Sequence, residues 1–385
     1  MRHLLAARAV PAALLASTVV LLVGCTSGTE DPTTDAAIGS IDLSAVCPEK
    51  VVVQTDWFPT ADHGHLFELL GPEATIDADS KVTVGPLYSK GEYTGISLEI
   101  RAGGPAIGGE QVASQMYTDP SIDLGYVKMG DVVATSGKTP LTAVYAGLDK
   151  TPLVVMWDPS TYPEVKTIED LGATDANVIV RNGSTFVKYL TSEGLLKADQ
   201  IDSSYDGTPA NFVAAGGKAA QQDYATNGPY TYPNDVPDWG KPVDYQLVYD
   251  TGFEEYASLL TTRTDALPEM SDCLRELVPV LQQGSVDFLD DPGPALDLLV
   301  KANDEYRGAV YTRETADYAV KTMRELGLVS NGTNATVGDI EPERAARMFE
   351  IIAPITTADG APPAAGLTPE KLYDNEFIDP SIGFQ

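Results

Sequence analysis

Val51-Val52-Val53-Gln54-Thr55-Asp56-Trp57-Phe58-Pro59-Thr60, running on into Ala61-Asp62-His63-Gly64-His65-Leu66-Phe67, decides how the rest of the chain is read. The three valines are β-branched and uninterrupted, which predicts a buried strand. Pro59 breaks it. Leu66, Leu69 and Leu70 then recur at helical spacing, and Gly71 stops the pattern. Strand, short loop and helix make the opening unit of an α/β sheet. In such sheets ligands lie beyond the carboxyl ends of the strands. Here that position holds Asp56, Trp57, Phe58, Asp62, His63 and His65, and the turn reads as one wall of a ligand cleft.

Outward from this unit, strand and helix alternate. A polar segment, Asp77 to Lys90, precedes the alternating strand Ile96, Leu98, Ile100 and the loop Gly103-Gly104-Pro105. Strands are predicted again at Ile122–Val127 and Leu141–Tyr145, with helices between them, the signature of a parallel sheet with crossovers. At Pro152–Trp157 the chain crosses to a second lobe and the pattern restarts. There Val178–Arg181 is a strand and Asn182-Gly183-Ser184 the loop before a helix. Gln221–Thr226 is a further strand, and the Pro-rich stretch from Gly228 to Pro242 reads as loop. The remainder is helical, with Pro279 expected to bend or interrupt one helix.

The first residues have the three regions of a secretory signal: Arg2 and Arg8, an apolar run from Ala12 to Val23, then Leu22-Val23-Gly24-Cys25. The run is short for a spanning helix. Thr26 to Ser40 has no apolar period and reads as a tether. The expected organisation is a signal over 1–24, a flexible tether over 25–47, one lobe from 48–150 with 263–385, and a second from 151–262. Two cysteines remain, Cys47 and Cys273, either bridged, as an exported chain favours, or two separate buried thiols.

The 385 residues carry a formal charge of −31. Phosphate binding requires a basic surface, so nucleic acid is excluded as a partner. A hydrophobic share of 43% supports a real core.

Asp56-Trp57-Phe58-Pro59 followed by His63, together with Gly103-Gly104-Pro105, resembles a family of ABC-importer substrate-binding lipoproteins. It includes binders of thiamine-pyrimidine precursors, and its wider relatives bind nitrate, sulfonates and taurine. The resemblance runs from Val51 to the closing Asn375-Glu376-Phe377-Ile378-Asp379-Pro380. The ending Leu22-Val23-Gly24-Cys25 likewise resembles a lipobox, which implies a lipid anchor at Cys25 on the outer face of the cell membrane. The chain departs from the pyrimidine binders at Thr60, where they carry Asn. It departs again at His63-Gly64-His65-Leu66-Phe67, where they read His-Ala-Gly-Leu-Tyr.

The resemblance implies a type II periplasmic-binding-protein fold, in which two mixed sheets flanked by helices form two α/β lobes with a ligand cleft between them. It implies a monomer that captures a small molecule and delivers it to ABC permease subunits, with no catalytic residues and no cofactor. One fungal branch of the superfamily is an enzyme, but it is intracellular and carries a cysteine-rich motif lacking here.

The residues themselves suit a flat, nitrogen-containing or otherwise polar organic ligand, and the resemblance implies a heteroaromatic, pyrimidine-like one. Trp57, Phe58, Tyr224 and Tyr230 offer aromatic faces. Asp56 or Asp62 accepts from amino groups, and His63 donates or accepts. Gly103, Gly104 and Pro105 bring bare backbone near the ligand, and Asn182, Gly183 and Ser184 form the equivalent loop of the second lobe. Asn227 stands beside Tyr224 and Tyr230. His63-x-His65 beside Asp62 has metal-ligand residue types, but with no further histidine after His65 no metal is expected. Arg101, Lys128 and Arg181 near strand ends keep a sulfonate, taurine or nitrate site open as the alternative.

Overall fold

The computed structural model describes residues 32–385. The signal over 1–24 and the lipid-anchor residue Cys25 lie outside the described residues. Twelve strands succeed one another: β1 Lys50–Gln54, β2 Thr75–Asp77, β3 Val82–Ser89, β4 Glu92–Arg101, β5 Leu124–Val127, β6 Leu141–Ala146, β7 Leu153–Trp157, β8 Asn177–Ile179, β9 Ile201–Asp202, β10 Ala219–Tyr224, β11 Asp244–Leu247 and β12 Leu259–Arg263. They form two sheets, of order β2-β3-β4-β1-β5-β12-β6 and β11-β7-β10-β8-β9. Both are mixed. In the first, β1 runs parallel to β4 and β5; in the second, β8 runs parallel to β9 and β10.

The valines of β1 explain its central place. Val51 and Val53 are fully buried and Val52 is 5% exposed, so both faces of the strand are covered, as interior parallel strands require. The chain passes between the sheets twice, once after β6 and once between β11 and β12. Arg344 ties both crossings together. Its Nε donates to Glu254 O at 2.7 Å, its Nη1 to Asp149 at 3.0 Å, and its guanidinium lies 3.8 Å from the Tyr256 ring centroid.

Five expectations need correcting. The tether is expected to reach Cys47, yet the chain is packed from Ile38 onward. Ile38 bridges Tyr93, Leu43 N donates to Thr94 O at 2.8 Å, and Leu43 is fully buried. One apolar side chain in a polar stretch is enough to dock it on the start of β4. The segment Asp77–Lys90, polar in its sequence, contains the eight-residue β3, held by antiparallel pairing to β4 from Val82↔Arg101 to Ser89↔Glu92. The stretch from Gly228 reads as loop but forms a helix, Gly228–Asp235. Its first proline sits in the first turn, where the missing N–H has no helical partner anyway. Pro279 does not interrupt its helix, which runs from Leu267 to Asp290. The buried stripe Cys273, Leu274, Leu277, Val278, Leu281 and Phe288 holds it to the core, and that burial outweighs the ~3 kcal/mol cost of an interior proline. Finally, the chain rejoins the first sheet at Leu259 and not at 263, because β12 pairs with β5 from Leu259↔Val127.

Cys47 and Cys273 are joined by a disulfide that spans 226 residues of sequence. It fastens the segment before β1 to the long helix under the first sheet. Closing so long a loop removes entropy from the unfolded chain. Cys273→Ser is therefore expected to lower unfolding free energy by about 2–5 kcal/mol in urea denaturation. A change within error of zero would show that the bridge adds nothing in solution.

Candidate functional site

The parallel registers bring the strand ends together. Gln54, the last residue of β1, stands beside Arg101 of β4 and Gly125 of β5. The segments leaving these strands therefore meet at one edge: Asp56-Trp57 after β1, Gly103-Gly104 after β4, Lys128 after β5. Local hydrogen bonds fix this edge. The Gln54 amide, 2% exposed, donates to Thr55 O, Arg101 O and Ala102 O at 3.0–3.2 Å. Thr55 Oγ1 donates to Trp57 O at 2.7 Å, and Gly103 N donates to the same carbonyl at 2.9 Å. A β carbon on Gly103 would stand 1.9 Å from Thr55 O, and one on Gly104 2.5 Å from the Trp57 ring. The two glycines let the β4 loop lie flat against the Trp57 turn.

The second sheet mirrors this arrangement. Arg181 comes after β8, Tyr205 and Gly207 after β9, and Thr226 after β10. These ends face those of the first sheet. The Arg181 guanidinium lies 5.7 Å from the Trp57 ring centroid, and a β carbon on Gly207 would come within 4.0 Å of Trp57 Cη2. Thr226 lies beside Asp62, and Tyr224 lies in the field of Lys128. Farther out, Tyr230 and Tyr318 pair across the lobes with ring centroids 5.3 Å apart. The cleft is therefore closed by contacts between strand ends of both lobes.

Acid and base are interleaved along this edge. Asp56 bonds His63 Nε2 at 3.0 Å, and its side chain keeps 35% of its surface while His63 keeps 4%. Burial pushes the Asp56 carboxyl up, but the His63 hydrogen bond and the charges of His63 and Lys128 leave it below the usual range. Asp62 is pushed up to about 6 by burial, with the Asp56 charge adding to the push. Glu255, from the second crossing, is raised to about 7 by burial, although its Oε1 accepts the Gly130 N–H at 2.8 Å. Asp131 is also raised by burial and by Asp56. Lys128 is held protonated, first by Tyr224 and then by Glu255, Asp131 and Asp56.

The expected site residues fare differently. Asp56, Trp57, Asp62, His63, Tyr224 and the glycine pair Gly103-Gly104 come together at the cleft. Pro105 is exposed and Gly103 has committed its N–H to Trp57 O, so this loop supports Trp57 and does not offer that amide to a guest. Phe58 is 8% exposed and belongs to the core. Asn182 and Gly183 are exposed, and Ser184 Oγ turns back to Arg181 O at 2.7 Å. From that loop it is Arg181 that reaches across. Asn227 caps the Gly228 helix and accepts from Thr231 at 3.1 Å. Tyr230 meets Tyr318, which makes it a lobe-to-lobe contact. His65 packs with His63 against the same Tyr126 ring, but its polar atom serves the core. Its Nε2 meets the Tyr126 hydroxyl at 2.5 Å inside the core, and burial lowers it to about 3, so it stays neutral. Asp131, Glu255, Tyr205 and Thr226 are not singled out by the sequence; each lies just past a strand end or on a crossing, which is the one signal that marks them.

No protein-family model matches the chain, and no curated protein matches it. Solved structures do. The periplasmic aliphatic sulphonate-binding protein of Escherichia coli superposes with a TM-score of 0.54 at 15% identity, over 85% of this chain and 92% of that one. The alkanesulfonate-binding protein of Xanthomonas axonopodis pv. citri, bound to MOPS, gives 0.52 at 14%, over 85% and 99%. The ligand-binding component of an ABC-type import system from Staphylococcus aureus, with zinc bound, gives 0.50 at 13%, over 85% and 97%. At such identities what is shared is the fold, the two-lobed architecture of import-system binding components.

The raised Asp62 has a measurable consequence. Its folded value of about 6 lies above the unfolded 3.8, so its charge costs stability. That cost is absent below pH 4, grows as pH rises from 4 to 6, and is complete above. Asp62→Asn removes it. The variant is expected to match the parent near pH 4 and to exceed it by about 1–2 kcal/mol at pH 7.5, in pH-resolved denaturation. Equal stability at both pH values would refute the burial of a charged Asp62.

Proposed function

We propose that this chain is the solute-binding component of an ABC importer. It is exported, anchored to the outer face of the cell membrane through a lipid on Cys25, and works as a monomer that hands its cargo to permease subunits. It is a binder and not an enzyme, with no cofactor. The cargo is a small, polar, flat molecule of the pyrimidine type, held between the lobes.

One observation carries this reading. Trp57, just past the carboxyl end of β1, meets Arg181 and Gly207 of the other lobe, near Asp62 and Thr226. An aromatic wall with a few polar anchors at a closable seam is what a small-molecule site requires. Hinge closure about the two crossings gives capture, and reopening gives delivery. The lobes take the limits 48–150 with 263–385 and 151–262, adjusted for β12, which pairs in the first sheet. The fold shared with import-system binding components supports the same reading.

Thermal-shift screening against pyrimidines, alkylsulfonates and nitrate tests it. A ligand at a hundredfold excess over Kd adds about 2.7 kcal/mol. The expected outcome is a rise of several degrees with one of these classes and no turnover. Trp57→Ala should abolish that rise while shifting the unliganded Tm by only a few degrees. A variant that unfolds would place Trp57 among core residues and overturn the site.

A further inference from the structure

We infer that the cleft is built for a cationic guest, an amidinium or a protonated heteroaromatic amine, and rejects anions. This rests on the reading of the interlobe seam as a solute site.

Four carboxylates from three separated stretches converge there: Asp56 and Asp62 after β1, Asp131 after Lys128, and Glu255 on the second crossing. Lys128 is the cation among them, and it lies in the fields of Asp56, Asp131 and Glu255 together. His63 is committed to Asp56 through Nε2. Arg181 stands at the exposed rim over Trp57. The seam is therefore acid-rich at its floor.

The orphaned atoms point the same way. Asp62 Oδ1 and His63 Nδ1 are both shut off from solvent and both lack a hydrogen-bond partner. His63 itself is 3% exposed. A carboxylate accepts only, so His63 Nε2 carries the proton it shares with Asp56. In the neutral ring Nδ1 is then an acceptor as well. Asp62 Oδ1 accepts whatever the charge of the ring, and an N–H group of a guest completes it; Nδ1 accepts from a guest when the ring is neutral. Leaving a buried acceptor unmet destabilises the site, and an anion brings nothing to meet it. Burial already raises Asp62 and Glu255; a buried anion would raise that cost and a cation would offset it. Trp57 is a face to which cations are drawn, as the Arg181 guanidinium 5.7 Å from its centroid shows.

The inference separates this cleft from those of the fold neighbours named as sulphonate binders.

Three rings of one size and different charge test it: benzamidine, benzamide and benzenesulfonate, titrated calorimetrically into the purified full chain. Benzamidine is expected to bind at least tenfold tighter than benzamide, with benzenesulfonate weakest. Asp62→Asn should reduce benzamidine affinity at least tenfold and benzamide affinity much less, so that the preference for the charged ring collapses; Asp62→Glu should restore part of that preference. Both variants are checked for folding by circular dichroism. Benzenesulfonate binding tightest, and lost in Trp57→Ala, would overturn the charge assignment while leaving the solute site intact. No binding of any ring, in a folded protein that also ignores pyrimidines, sulfonates and nitrate, would overturn both.

Discussion

Gly103 has no room for a side chain, because the space a β carbon needs is taken by Thr55 O. From that one contact the first lobe's wall is built. The backbone after β4 can lie against the backbone after β1, Gly103 N can reach Trp57 O, and the Trp57 ring can rest on Gly104. Any larger residue at 103 would push the two loops apart and release the turn that carries Asp56, Trp57 and Asp62. The constraint is local, but its product is the positioned aromatic on which the second lobe closes.

The two sheets use the same device on opposite sides of the seam. Parallel strands end side by side, so loops that are far apart in sequence are forced into one row. Lys128, Arg181, Gly207 and Thr226 come from four different strand ends and meet one turn. Behind them, Arg344 grips both crossings. The seam is held by aromatic contacts, Tyr230 on Tyr318 and Trp57 against Arg181 and Gly207; at the crossings, a buried guanidinium is held by a carbonyl, a carboxylate and an aromatic face.

The fold is largely legible in the sequence because its strongest signals are periodic. Val51–Val53 and Leu153–Trp157 are apolar runs and Ile96–Ile100 alternates apolar with polar, both patterns of strands, and their succession with helices gives two lobes. What escapes is decided by packing over distance. Phe58 and Trp57 are neighbours with the same chemistry, yet one lies in the core and the other at the seam; no local pattern separates them. The helix from Gly228 hides behind its prolines. Half of the site is visible, because Asp56, Trp57, Asp62 and His63 come after one strand. Glu255 and Asp131 are not, since a lone carboxylate near a crossing looks like any solvated acid until the fold turns it inward. His65 shows the converse: its spacing from His63 suggests a ligand pair, but although both rings pack on Tyr126, one hydrogen-bonds its hydroxyl and the other Asp56.

A crystal structure of protein purified without added ligand would bear most directly on whether the strand ends form a capture site. Density for a flat guest against Trp57, with N–H groups facing Asp62 Oδ1 and His63 Nδ1, is the result expected. A guest seated elsewhere, or lobes turned so that Trp57 and Arg181 face solvent on unrelated surfaces, would contradict the account.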